Sequence, residues 1–263
     1  MSSLGARIAT GVVLLPVLFF LIHLGGWPYT AAVLFVIAVG SWEWARIMRL
    51  RPGEMLWTGV GAIGLALLVS NPALASRTPA LLACYLVVTL GFALFHTDGN
   101  AWRHAAHIVL GVLYLGLLPA FLLNMRALPD GRSAVFLAYI VVFGCDTGAF
   151  LFGRAFGRHR LWTRISPRKT WEGAWAGLLT ALALAVAGNE LFGGFLSLSE
   201  ALGFGLIIGT LGQVGDLVES LLKREAGVKD SSSLMPGHGG FLDRFDNLHF
   251  VAPLLYIYLV ACL

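Results

Sequence analysis

Charge is scarce in this chain. Only 12% of its 263 residues are Asp, Glu, Lys or Arg, against roughly 25% in an ordinary soluble domain, while 58% are hydrophobic. That shortage excludes a soluble globular protein with a charged surface on every side. Cysteine is scarce as well. Cys84, Cys145 and Cys262 all lie in apolar blocks without metal-ligand spacing, which leaves no basis for a disulfide framework or a zinc site. No G-x-x-x-x-G-K-[ST] segment occurs, so a P-loop kinase is disfavoured. Internal repeats and low-complexity tails are absent too. The net charge of +4 sits on segments between apolar blocks, which implies attraction to anionic lipid rather than to nucleic acid.

Long apolar runs are abundant. A helix needs about 20 apolar residues to cross a bilayer, and the spacing predicts an all-α, polytopic membrane bundle of nine spans. These cover roughly 8–26, 30–48, 56–70, 79–95, 105–124, 133–153, 171–189, 200–222 and 249–263. The first run is long for a signal peptide and has no small-x-small cleavage site, so it reads as a retained span. With the N-terminus in the cytoplasm, fifteen of the eighteen Lys and Arg residues fall on inside segments; only Arg77, Arg126 and Arg132 fall outside. Positive charge favours the cytoplasmic side of short loops, so this topology is the expected one. Two regions follow: spans one to five (residues 1–130), and spans six to nine (131–263) with cytoplasmic loops 154–170 and 223–248.

Acids gather under the same face. Asp146 and Asp216 stand seven or eight residues before the inner ends of their spans, which buries each by roughly 10–12 Å at 1.5 Å per residue. Ionisable groups at membrane depth are costly and mark sites or pathways. Glu172 opens span seven from the same side. Glu43, in Ser-Trp-Glu-Trp, also lies near an inner end but reads more readily as a separate acid satisfied by an Arg or a backbone group. In span eight Gly209, Gly212, Asp216, Glu219, Ser220 and Lys223 share a helical stripe. Mg²⁺ needs only one or two carboxylates when substrate phosphates complete its shell. Asp216 and Asp243 are the expected metal ligands, with Asp246 as a third ligand or an orienting group. Pro236, Gly237, His238, Gly239 and Gly240 rule out helix and let backbone N–H groups approach a ligand, a plausible phosphate seat. Lys223, Arg224, Lys229 and Arg244 surround it. The other basic stretch, 153–172, holds Ser166, Arg168 and Lys169. Two basic loops over buried carboxylates form a funnel for a polyanion.

These residues carry a resemblance. The stretch from Ser220 through Lys229-Asp230 to Pro236-Gly-His-Gly-Gly-Phe-Leu-Asp-Arg-Phe-Asp246 resembles the signature of the phosphatidate cytidylyltransferases, or CDP-diacylglycerol synthases. Asp146-Thr-Gly-Ala-Phe150 and Ile165-Ser-Pro-Arg-Lys-Thr-Trp-Glu-Gly173 are similar to that family's other blocks. The likeness covers residues 144–250. Phe150 stands where Tyr is commoner and Arg168 where Lys is, departures that remove no carboxylate or charge. The resemblance implies transfer of CMP from CTP to phosphatidate, giving CDP-diacylglycerol and pyrophosphate, with Mg²⁺ and room for a second cation. It implies Asp216, Asp243, Asp246 and Lys169 as catalytic groups. Arg168, Lys223 and Arg224 would join Lys169 on the triphosphate. Asp146, Ser166, Lys229, His238, Gly239, Gly240 and Arg244 complete the substrate contacts. It places the enzyme in the cell's inner (plasma) membrane, facing the cytoplasm, and makes a homodimer plausible. The rival readings are a transporter, which buried acids and basic mouths also suit, and an enzyme acting on another lipid phosphate or a polyprenol. Gly173-Ala-Trp-Ala-Gly177 and Gly205-Leu-Ile-Ile-Gly209 are small-xxx-small patterns, read as contacts between helices of one chain rather than as a dimer face.

Overall fold

The computed structural model describes residues 14, 16–95, 99–232, 234 and 239–263. Residues 16–24 are helical, and residues 8–13 and 15 of the first expected span lie outside the described residues. Eight further helices are long and apolar enough to cross a membrane: α1 (Gly26–Ile47), α2 (Pro52–Ser70), α3 (Pro72–Ala93, its first turn 3₁₀), α4 (Ala101–Arg126), α5 (Gly131–Phe156), α6 (Trp171–Leu191), α7 (Leu198–Glu225) and α8 (Leu242–Cys262). The architecture is a polytopic helical membrane bundle. Large apolar side chains such as Phe35, Leu56, Val87 and Leu179 are exposed around it, as expected where lipid is the solvent.

Local chemistry sets several helix ends. Ser197 opens α7 with a capping box, its N–H donating to Glu200 at 2.7 Å while Glu200 N–H donates to the Ser197 hydroxyl at 3.4 Å. Thr170 caps α6 by accepting from Gly173 N–H. At the far end of α4, the Arg126 guanidinium donates to the Ile22 carbonyl at 3.0 Å and satisfies a terminal acceptor of the helix over residues 16–24.

Small residues bring α5, α6 and α7 together. A Cβ at Gly173 would stand 2.7 Å from the Ala149 carbonyl oxygen, and one at Gly177 would stand 3.0 Å from the Ala149 methyl. A Cβ at Gly205 would meet the Ala181 carbonyl at 2.9 Å, and one at Gly209 the Leu178 Cα at 3.0 Å. Both small-xxx-small patterns are therefore contacts within the chain, as expected, because only glycine lets these backbones approach so closely.

Two departures matter for the site. The final helix begins at Leu242 rather than near residue 249. The expectation ended the span at the last charge, but Asp246, Asn247 and His249 are buried, so the helix carries its polar first turns into the bundle. The loop after α5 also folds, into an antiparallel hairpin of β1 (Arg160–Trp162) and β2 (Ser166–Thr170). Pro167 prevents helix here. The carboxylate of Glu172 receives the His159 N–H and contacts its ring at 2.6 Å, tying the hairpin to the start of α6.

Candidate active site

The hairpin and the two halves of α7 and α8 meet at one end of the bundle. On α7, Asp216, Glu219, Ser220 and Lys223 lie on one face, as their spacing requires. That face follows a π-helical turn, Ile208–Gly212, closed by Gln213, whose amide donates to the Gly209 and Ala174 carbonyls. A π-turn offsets the residues beyond it by one position, and such turns recur at functional sites. Ser220 Oγ donates to Asp216 Oδ1 at 3.3 Å. The other Asp216 oxygen pairs with Lys169 Nζ at 2.6 Å.

Strand geometry explains why Lys169 reaches the carboxylate. Neighbouring residues of a strand point to opposite faces. Lys169 is half-buried against Asp216, while Arg168 is exposed and its carbonyl accepts from Arg160. The adjacent bases, expected to act together, are thus separated. Ser166, half-buried, begins the same strand.

One turn further along α7, Lys223 lies between two carboxylates. Its Nζ stands 2.5 Å from Asp243 Oδ1 and 3.4 Å from Glu219 Oε1. Asp243 Oδ2 accepts from Gly240 N–H at 2.8 Å and Ser231 N–H at 3.1 Å. Glu219 is buried and contacts Asp246 across the α7–α8 interface. Asp246 also accepts from Asn247 N–H, and the Asn247 amide donates to both oxygens of Asp146 at 2.8 and 2.9 Å. Asp146 of α5, Asp216 and Glu219 of α7, and Asp243 and Asp246 of α8 therefore form one acidic cluster, joined through Lys169, Lys223 and Asn247.

Other expected residues stand elsewhere. Arg224 donates to the Ile165 and Val228 carbonyls, holding the hairpin loop to the end of α7. Lys229 and Arg244 are exposed. Gly239 has φ +85°, a conformation open to glycine. Gly240 N–H, part of the expected phosphate seat, is engaged by Asp243, and the Phe241 and Leu242 N–H groups that follow it are engaged by Glu43. Pro236, Gly237 and His238 lie outside the described residues. A cavity of about 500 Å³ between α2, α3 and α4, lined by Trp57, Phe92 and His104, contains none of the expected site residues.

Three participants escaped the sequence reading as site residues. Glu219 lay on the recognised stripe without an assigned role. Asn247 follows Asp246 directly, a signal that was present but unused. Tyr114 comes from a π-turn, Leu113–Leu117, in α4; its hydroxyl is buried without a hydrogen-bond partner and within electrostatic reach of Glu219, Asp246 and Asp216. Nothing in the sequence around Tyr114 marks it.

The donor set suits a divalent cation. Both Glu219 oxygens are buried without a hydrogen-bond donor, and two facing carboxyl groups such as Glu219 and Asp246 repel unless positive charge or a proton lies between them. Five acids face two lysines. Among the described residues no three His, Cys, Asp or Glu side chains converge closely enough to hold an ion by themselves. The protein can thus supply one or two carboxylates, with substrate oxygens completing the shell.

An integral-membrane bundle with carboxylates and lysines clustered at one end defines a membrane-embedded enzyme that handles phosphate compounds. The chain belongs to the cytidylyltransferase family, whose model matches residues 5–262; it is a nucleotidyltransferase, and the transporter reading is set aside. It is 34% identical to a phosphatidate cytidylyltransferase of Bacillus subtilis, over 98% of both chains. A phosphatidate cytidylyltransferase of Synechocystis is 32% identical over 98% of this chain and 97% of its own. One from Staphylococcus aureus is 40% identical over 66% of each chain.

Proposed function

We propose that this protein transfers CMP from CTP to phosphatidate, forming CDP-diacylglycerol and pyrophosphate, at the cytoplasmic face of the cell's inner membrane. The observation that carries the reading is the Lys169–Asp216 pair at 2.6 Å. It sets a cation of the basic hairpin against one of five clustered acids. Full-length similarity to phosphatidate cytidylyltransferases supports the choice of substrates. The positive-charge asymmetry supports the orientation.

A phosphate monoester is already anionic, so no strong general base is required. A phosphatidate oxygen attacks the α-phosphorus of CTP in line, the α–β bridging bond breaks, and pyrophosphate leaves with its electron pair. The main barrier is repulsion between two polyanions and their alignment. Asp216 and Asp243 would hold Mg²⁺ with Asp246 orienting them, and the ion would supply charge neutralisation to the phosphate oxygens. A second cation would fall to Glu219 and Asp246, whose facing carboxyl groups call for positive charge between them. Lys169 would exchange Asp216 for the triphosphate and follow charge onto the departing pyrophosphate. Lys223 holds Asp243 and Glu219 in place rather than touching substrate. Arg224 holds the hairpin that carries Lys169.

Purified protein in nanodiscs, incubated with CTP, Mg²⁺ and phosphatidate, is expected to release one pyrophosphate per CDP-diacylglycerol formed. ATP should not replace CTP, nor a polyprenyl phosphate replace phosphatidate. Absence of pyrophosphate with CTP and phosphatidate, or faster release with another pair, would overturn the assignment.

A further inference from the structure

We infer that Glu43, on α1 and outside every stretch that carries the family resemblance, is a positioning residue for the acids of α8. It is fully buried at the inner end of a membrane span, where an unpaired carboxylate would be costly. Four donors surround it. One oxygen accepts from Ser232 Oγ at 2.5 Å and Phe241 N–H at 2.8 Å. The other accepts from Ser231 Oγ at 3.1 Å and Leu242 N–H at 2.7 Å.

The pattern has a definite geometry. Ser231 and Ser232 precede the glycine-rich segment, and Phe241 and Leu242 follow it. A single carboxylate from a helix almost two hundred residues earlier therefore joins both ends. The two N–H groups are among the unpaired donors at the start of α8, where a negative charge is also favoured by the helix dipole. Asp243 is the second residue of that helix and uses the same two ends through Ser231 N–H and Gly240 N–H. A Cβ at Gly240 would stand 2.6 Å from Glu43 Oε1, so glycine makes room for the carboxylate. Position and direction of the first turn of α8, and with them Asp243, are thus set from α1.

Chemistry distinguishes this role from simple packing. Each Glu43 oxygen faces one backbone N–H that cannot turn into an acceptor. In Glu43→Gln the amide group must confront either Phe241 N–H or Leu242 N–H, whichever way it flips, and one end of the turn is released. The serine hydroxyls can rotate to adapt; the backbone donors cannot.

The inference rests on the proposed role of Asp243, so its test includes a measurement that does not. Glu43→Gln is expected to lower kcat for CTP-dependent turnover by about 10–100-fold, the usual effect of misplacing a group that orients a reacting site, with KM for CTP changed less than about threefold. Amide exchange over residues 239–245 should accelerate at least about tenfold, while segments in α5 and α6 keep their protection. The Ser231→Ala/Ser232→Ala pair should lower kcat in the wild-type background and add less than about twofold in Glu43→Gln, the signature of groups acting through one another. Should Glu43→Gln fail to fold, the serine pair decides, since it removes two of the four donors to Glu43: unchanged kcat together with unchanged exchange over 239–245 overturns the inference. A kcat within twofold of wild type, or a loss without faster exchange over 239–245, overturns the inference. If wild-type protein does not use CTP, the exchange result still decides whether Glu43 holds the turn.

Discussion

Asp216→Asn is expected to lower CTP-dependent turnover by on the order of 10³-fold while leaving the protein folded in the membrane. The reason is a difference in magnitude between two effects. Asp216 and Lys169 form a partly solvated pair, with side-chain exposures of 32% and 27%, and breaking such a pair costs about 1 kcal/mol or less of stability. Asparagine keeps the shape and can still accept from Ser220. Turnover depends on the lost charge, because the proposed cation and Lys169 both need it, and loss of charge stabilisation at a metal site is worth several kcal/mol of barrier. Initial rates together with melting of the detergent-solubilised protein separate the two. A melting temperature within a few degrees of wild type and near-complete loss of rate is the expected outcome. A rate within tenfold of wild type removes Asp216 from the reaction.

Lys223→Met should behave in the opposite way and fail first in stability. Lys223 lies between Glu219, whose side chain is 0% exposed, and Asp243, which is 7% exposed. Methionine fills the space of the lysine stem but leaves both acids without their cation. Removing one member of a buried charge cluster costs about 3–5 kcal/mol, which for a chain of this size corresponds to a melting shift on the order of 10 °C. The partner change Glu219→Gln removes one of the stranded charges, so the double variant should recover part of the loss. Thermal melts of the two single variants and the double decide the matter. Equal melting of Lys223→Met and wild type would mean that the lysine is not needed by the buried acids.

The bundle was legible because lipid imposes a simple rule. Apolar runs long enough to span are spans, and their helices follow. The pairing of Asp216 with the basic hairpin was legible in outline, since both lie at the same end of their spans. Other features depended on contacts distant in sequence. Arg168 and Lys169 are adjacent and chemically alike, and only their placement in a short strand sends one toward Asp216 and leaves the other exposed. The start of α8 lies earlier than expected because charge reads as solvent exposure, whereas inside the bundle Asp246 accepts from Asn247 N–H and the Asn247 amide donates to Asp146. Glu43 reads as an acid satisfied by an Arg or a backbone group, and backbone N–H groups do satisfy it; that they belong to residues 241 and 242, with two serine hydroxyls beside them, is a contact distant in sequence. Tyr114 comes within electrostatic range of the acids from a π-turn, an irregularity that residue spacing does not announce.

Manganese binding tests the central claim most directly, since Mn²⁺ takes the same oxygen ligands as Mg²⁺ and can be counted by electron paramagnetic resonance. Titrated in the presence of CTP, wild-type protein is expected to hold at least one Mn²⁺ per chain, and Asp216→Asn and Asp243→Asn to lose it while remaining folded. Undiminished Mn²⁺ binding by both folded variants would contradict the account.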